Sequence, residues 1–345
     1  MNYKSNETAL KPLMEALEEK RQIYLDLRQT AKKFYWLPLG LLILFVLISL
    51  LYDTPLLLCL LFCFSLALFI KFNKVDVYIE EYNETYKETF IKPFVPIFYP
   101  DLTYLPGKFS TSNNIQASFL YDSISKDARL NCEDGFRGKT AQGLSFTLME
   151  IHYQVDNYGK SKTKREIFIS IELPNKGYRP VVVAPGARMQ YILERYNEKR
   201  ISEVEEPILK QEGFERYFED KYAVYSQKKE DVATLLSPSF LVVIQKLGRQ
   251  CIGNIRFSFV KDVLHIALPS QQNFFEADLQ KTVLTNTVGQ ELFNELSTCL
   301  SIVEELESAV NQLKLPSKER IPLPKELDLP NQNWEDSAYD HFIDN

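Results

Sequence analysis

The chain has 345 residues, 45% of them hydrophobic, and 40 Lys and Arg against 46 Asp and Glu give it a formal net charge of −6. That acidic balance argues against nucleic acid as a partner, because phosphate binding rests on clustered Lys and Arg and the domain after the apolar run offers no dense basic patch. Five cysteines (Cys59, Cys63, Cys132, Cys251, Cys299) without paired spacing in the soluble part fit a reducing cytosol.

Leu10, Leu13, Leu17, Tyr24, Leu27 and Ala31 follow a 3,4 spacing interrupted only by Lys20, which predicts a helix with one narrow seam over the N-terminal segment 1–33. It leads into Phe34 to Ile70, a run whose one charged side chain is Asp53. Phe34 to Tyr52 supplies nineteen uncharged residues and Thr54 to Ile70 seventeen. Each half is near the roughly 20 apolar residues that cross a hydrocarbon core, so the expectation is a transmembrane helical hairpin. Asp53, Thr54 and Pro55 break the helix and place an ionised group at the far interface, where it costs less than at the bilayer centre. A cleaved signal peptide does not fit, since a charged 33-residue segment precedes the run.

Lys4, Lys11, Lys20, Arg21, Arg28, Lys32 and Lys33 come before the hairpin and Lys71 and Lys74 directly after it, while the turn has no Lys or Arg. By the positive-inside rule both termini face the cytoplasm, which implies a multi-pass protein of a bacterial inner membrane with the lipid bilayer as its first partner. Cys59 and Cys63, one helical turn apart in the second span, read as packing residues.

In the segment 71–107, Val75, Ile79, Tyr82, Tyr86 and Phe90 repeat the helical spacing until Pro93 and Pro96, which are expected to end it. A short turn forces the two flanking helices to emerge side by side, so they predict an antiparallel stalk. Residues 108–285 read as an α+β domain. A helix is expected over Asn113 to Ser123, strands over Leu144 to Val155, Glu166 to Leu173 and Arg179 to Ala184, and a polar loop at DNYGKSKTKR between the first two strands. Helices are expected over Ala187 to Asn197, Phe214 to Phe218 and Pro238 to Leu247, the last capped by Ser237, with a strand at Tyr222 to Tyr225. Ile255 to Val260 and Val263 to Leu268, joined by Lys261 and Asp262, form an antiparallel hairpin, which favours α+β over a doubly wound sheet.

Val288, Leu292, Leu296, Cys299, Val303, Leu306, Val310 and Leu313 carry the longest 3,4 pattern, a long helix over 286–313. Its seam is expected to join the juxtamembrane pair in a three-helix bundle, or a second copy in a homo-oligomeric coiled coil. Residues 314–345, with four prolines and no Lys or Arg after Lys325, read as a flexible acidic tail in which Trp334, Tyr339 and Phe342 are spaced along the chain.

The segments GKTAQGLSFTLMEIHY (138–153), FERYFEDKYAVYS (214–226), LLSPSFLVVIQKL (235–247), IRFSFVKDVLHIAL (255–268) and FFEADL (274–279) resemble the bacterial membrane-associated family called domain of unknown function 3137. The resemblance implies a membrane complex with another membrane or cytoplasmic protein. It implies no catalytic residues and no cofactor, because the family carries no established activity.

Chemistry-bearing motifs are few. Gly138-Lys139-Thr140 lacks the first glycine of a phosphate-binding loop, where Glu133 stands, and leads into a strand. Glu150 and His152, two apart on one strand, share a face, and with His265 from a second strand they make the candidate metal or acid–base set. The competing reading of His265, among Leu264, Ile266 and Leu268, is a core histidine with one hydrogen bond. The expectation is a membrane-anchored scaffolding or protein-binding module, with a tethered sensor or enzyme as the alternative.

Overall fold

The structure, a computed structural model, describes residues 7–34, 77–106, 130–157, 160–185, 209–211, 222–251, 254–285 and 287–313, with Tyr3, Gly40, Ile43, Leu44, Leu47, Phe64, Ile115 and residues 118–121. The expected hairpin from Phe34 to Tyr52 and Thr54 to Ile70 lies outside these residues except at Phe34, Gly40, Ile43, Leu44, Leu47 and Phe64, which are helical. The helices expected over 187–197 and 214–218 and the acidic tail also lie outside them. Among the described residues, no single helix is long and apolar enough to cross a membrane.

The described elements are α1 (Glu7–Phe34), α2 (Val77–Tyr86), a π-helical turn (Lys87–Ile91), α3 (Lys92–Phe98), β1 (Thr103–Pro106), β2 (Asn131–Lys139), β3 (Ser145–Asn157), β4 (Lys160–Glu172), β5 (Val181–Pro185), β6 (Leu209–Gln211), β7 (Tyr222–Ser226), α4 (Lys229–Leu235), α5 (Pro238–Gln250), β8 (Arg256–Val260), β9 (Val263–Ser270) and α6 (Thr287–Val310). The strands form one nine-stranded sheet in the order β1-β2-β3-β4-β9-β8-β5-β7-β6. Every pairing is antiparallel. The fold is therefore α+β, as the hairpin at Lys261 and Asp262 required. Both of those residues have positive φ (52° and 59°), the type I′ geometry whose twist matches that of the strands it joins.

The expected polar loop at 156–165 is mostly strand. β3 and β4 stay in register out to Asn157 opposite Lys160, so the sheet alternation continues past the hydrophobic core. Composition misleads there because a strand beyond the core has no face that must be apolar. The expected helix over 113–123 is interrupted: residues 118–121 form a turn, with Phe119 at φ 61°.

Pro93 and Pro96 do not end the helix, which continues to Phe98. A proline inside a helix loses one amide donor and crowds the carbonyl four residues earlier. The π-helical turn, where Lys92 N bonds Lys87 O, widens the ladder just before Pro93 and relieves that crowding.

α1 and α2 run antiparallel: Tyr24 packs on Tyr82 at 6.0 Å, Lys20 Nζ bonds Thr89 at 3.1 Å, and Tyr3 stacks on Phe98 at 5.7 Å. They lie on the face of the sheet lined by Phe146, Leu148, Ile167, Ile169, Ile171, Leu264, Ile266 and Leu268, and share one core with α3, α5 and α6. Phe90, Phe94 and Phe98 are fully buried there, and burial of a side chain of that size is worth about 2–3 kcal/mol. The long helix α6 is present, but it is not the third member of a stalk-length bundle. It packs against α5, with Lys246 paired to Glu305, and meets the helical pair at one end, where Phe293 contacts Tyr3, Phe98 and Tyr99. The opposite face of the sheet carries a smaller core that includes Met149, Ile151, Phe168 and Ala267 under Ile115, Phe119, Leu120 and Tyr121.

Candidate functional site

Three departures from regular backbone converge beneath α2. In β2 the register slips between Cys132 and Gly135, a bulge opposite Glu150. An extra residue reverses the alternation of a strand. Cys132 accordingly faces the smaller core, whereas Phe136 faces the larger one and Asp134 meets Lys87 and Tyr104. The π-helical turn begins at Lys87, whose Nζ lies 2.9 Å from both Asp134 Oδ2 and Glu276 Oε1. Phe275, beside Glu276, holds φ at 59°.

Asp134 is fully buried and accepts a hydrogen bond from Tyr104 OH as well as the ammonium of Lys87. Glu150 Oε1 accepts from Phe274 N at 3.1 Å and Glu295 Oε2 from Phe275 N at 3.1 Å. Two acidic side chains from different elements thus hold consecutive amides around the left-handed residue. Glu150 Oε2 is buried and has no hydrogen-bond partner.

The electrostatics follow from burying four carboxylates with one ammonium. Burial pushes the Glu150 carboxyl up to about 8 against the pull of the Phe274 amide, and the charges of Asp134, Glu133 and Glu276 push the same way. Burial also raises Asp134, Glu276 and Glu295, in the first two against the pull of Lys87. Burial disfavours the charge on Lys87, but Asp134 and Glu276 outweigh it and hold the ammonium above its usual range.

The histidines sit elsewhere. His152 is at the rim, with Nε2 3.0 Å from Asn131 Nδ2 and Nδ1 3.6 Å from Glu133 Oε1. His265 pairs across the sheet with Ser170, whose Oγ is 2.9 Å from its Nδ1, and stacks on Phe168. Glu150 is opposite Ile167, and Ile167 opposite Leu268, so this line of side chains faces the larger core. His265 and Phe168 are on the other face. The three candidates Glu150, His152 and His265 are therefore split by the sheet, and they do not form one ligand set. Burial pulls His265 down to about 3, which leaves it neutral.

A second polar cluster, on the face of Phe168, centres on Glu166. Arg256 Nη2 lies 2.5 Å from its Oε2, Tyr121 OH donates to Oε2 and Tyr153 OH to Oε1 at 2.9 Å each, and the guanidinium lies over the Tyr121 ring. Glu166 thus takes one guanidinium and two phenol donors, a buried cluster in which Arg256 Nε has no hydrogen-bond partner.

Sequence reasoning missed Lys87, Asp134, Glu276 and Glu295. They belong to no local motif, because they come from five separate places in the chain once Glu150 is included.

These features define an antiparallel α+β domain with an N-terminal helical pair packed on one face of its sheet. Residues 167–308 match the family model described as a protein of unknown function, DUF3137, so the chain carries that family's domain over this span. The matched span runs from β4 into α6 and takes in Arg256, His265, Glu276 and Glu295, while Lys87, Asp134 and Glu150 precede it. Among solved structures the chain is similar to a crystal structure of the mycobacterial trehalose monomycolate transport factor A, at 10% identity and a TM-score of 0.25, over 56% of this chain and 77% of that one. A likeness of that degree carries no argument. No curated protein matches the chain.

Proposed function

We propose that the chain is a membrane-anchored module that holds another protein at the cytoplasmic face of the membrane, without catalysis of its own. The carrying observation is the junction of α1 and α2. The two helices run antiparallel and packed, and the connection between their ends is the apolar run of residues 34–70. Its described side chains Ile43, Leu44, Leu47 and Phe64 are 50–55% exposed and helical. Apolar helical side chains left outside a core call for lipid or another apolar surface. The Lys and Arg distribution favours cytoplasmic termini.

The interior supports binding over catalysis. The buried carboxylates hold backbone amides and Lys87, and Glu166 accepts from Tyr121 and Tyr153. An open groove of about 320 Å³ lies instead on the helical pair, lined by Lys20, Ile23, Tyr24, Leu27, Glu81 and Thr85. Carbonate extraction followed by cross-linked purification from native membranes tests this reading. Retention in the membrane with a stoichiometric protein partner is the expected result; extraction with the soluble fraction, or purification alone with a tightly bound small molecule, overturns it.

A further inference from the structure

Glu133, Asp134 and Glu276 each offer an oxygen, and these three atoms lie within 4.8 Å of one another. Oxygens bound to a common Ca²⁺ at 2.3–2.6 Å span up to about 5 Å, so the triangle fits around one hard cation without rearrangement of the backbone. A cluster of acids is common without a metal, and here a second, independent feature points inward. Glu150 stands in β3 opposite the bulge that carries Glu133 and Asp134, is 1% exposed, and its Oε2 has no hydrogen-bond partner among the described residues. A buried carboxylate oxygen with nothing to accept is costly, and it is retained where a cation or bound water completes it.

The charge balance points the same way. Among the described residues, Lys87 is the one ammonium paired with this set of four carboxyl groups. Three of the four come from the bulge of β2 and the facing position in β3, and the fourth from the segment after Phe275. The side chain of Glu133 is 37% exposed, which leaves an entry for an ion from solvent.

We propose that this cluster binds a hard divalent cation, Ca²⁺, Mg²⁺ or Mn²⁺, with Glu133, Asp134 and Glu276 as ligands and Glu150 completing the charge around it. Lys87 is the internal competitor, because its Nζ already holds one oxygen of Asp134 and one of Glu276. Three carboxylates of which two are shared with an ammonium make a weak site, in the range of about 10⁻⁴–10⁻³ M. The ion would also be felt at α1. Glu276 begins the connection whose far end is bound to α1, where Arg21 Nη1 donates to Leu279 O and Glu18 Oε2 accepts from Val283 N.

The test uses the full chain in a non-ionic detergent, freed of metal with chelator, with Mn²⁺ titrated and free Mn²⁺ read by electron paramagnetic resonance. One Mn²⁺ per chain is expected, displaced by Ca²⁺ or Mg²⁺, with affinity weakened at least about tenfold in Glu133→Gln. Glu133 is at the rim, so this variant should fold, and an unchanged melting temperature in chelator verifies that. Hydrogen exchange at residues 277–283 should slow when the ion binds. Binding that Glu133→Gln leaves unchanged, or no Mn²⁺ held at millimolar metal, overturns the site. The membrane reading does not enter either outcome.

Discussion

Lys87 and Asp134 form an ion pair of 2.9 Å in which the carboxylate is fully buried and the ammonium nearly so. Removing one partner of such a pair leaves an uncompensated charge in the interior, which costs about 3–5 kcal/mol. Lys87→Met should therefore destabilise the domain by that order in chemical denaturation. Adding Asp134→Leu should recover part of the loss, and purely additive losses would mean that the two do not interact.

Glu150 sets a pH dependence of definite sign. Its folded value of about 8 is above the ordinary 4.5, so its contribution to stability is full below 4.5 and is lost as pH rises to about 8. The slope from one group is at most about 1.4 kcal/mol per pH unit. In metal-free protein, Glu150→Gln should flatten the decline of stability between these limits.

His265 and Glu18 work in the opposite direction. His265 is held neutral by burial, with a folded value of about 3 against 6.5, so stability is lost as pH falls from 6.5 toward 3. Glu18, held by Arg21 and the Val283 amide, is lowered to about 2, so its contribution is present above 4.5 and lost as pH falls toward 2. Acid denaturation of His265→Leu should begin at lower pH than that of the wild type.

Arg21 joins α1 to the connection between β9 and α6, with Nη1 2.9 Å from Leu279 O and a bidentate contact to Glu18. Arg21→Met removes those bonds and keeps the bulk. Hydrogen exchange should quicken across 279–283 while the amides of β4 and β9 stay protected; uniform quickening would mean that α1 is required for the whole fold.

Lys261 stands at a positive φ that suits glycine. Lys261→Gly should stabilise the β8–β9 hairpin by up to about 1 kcal/mol. Asp262→Gly should not, because Asp262 Oδ1 accepts from Gly177 N and Tyr178 N. A thermal melt of the two variants separates backbone relief from the lost side-chain bonds.

Much of the fold was legible in the sequence. The two-residue hairpin connection at Lys261 and Asp262, the Ser237 cap, which accepts from Phe240 N, and the long pattern of α6 each reflect physics confined to neighbouring residues. The β3–β4 extension and the passage of the helix through Pro93 were not legible, since one depends on pairing beyond the core and the other on a π-helical turn. The site was less legible still. Glu150 was singled out with the wrong company, because strand alternation told which neighbours share its face but not that a bulge in β2 would turn Asp134 toward it. His265 failed as its partner for a related reason: the register between β4 and β9, which puts it on the far face, is a long-range property.

The central claim, that the domain stands on a membrane hairpin with both termini in the cytoplasm, is tested most directly by thiol labelling in intact cells. A membrane-impermeant reagent is applied to the wild type, whose half-buried Cys251 is in the domain, and to Asp53→Cys, which adds a thiol at the turn expected from the sequence. The account predicts that the added thiol is labelled in intact cells and Cys251 only after permeabilisation. Labelling of Cys251 in intact cells would contradict it.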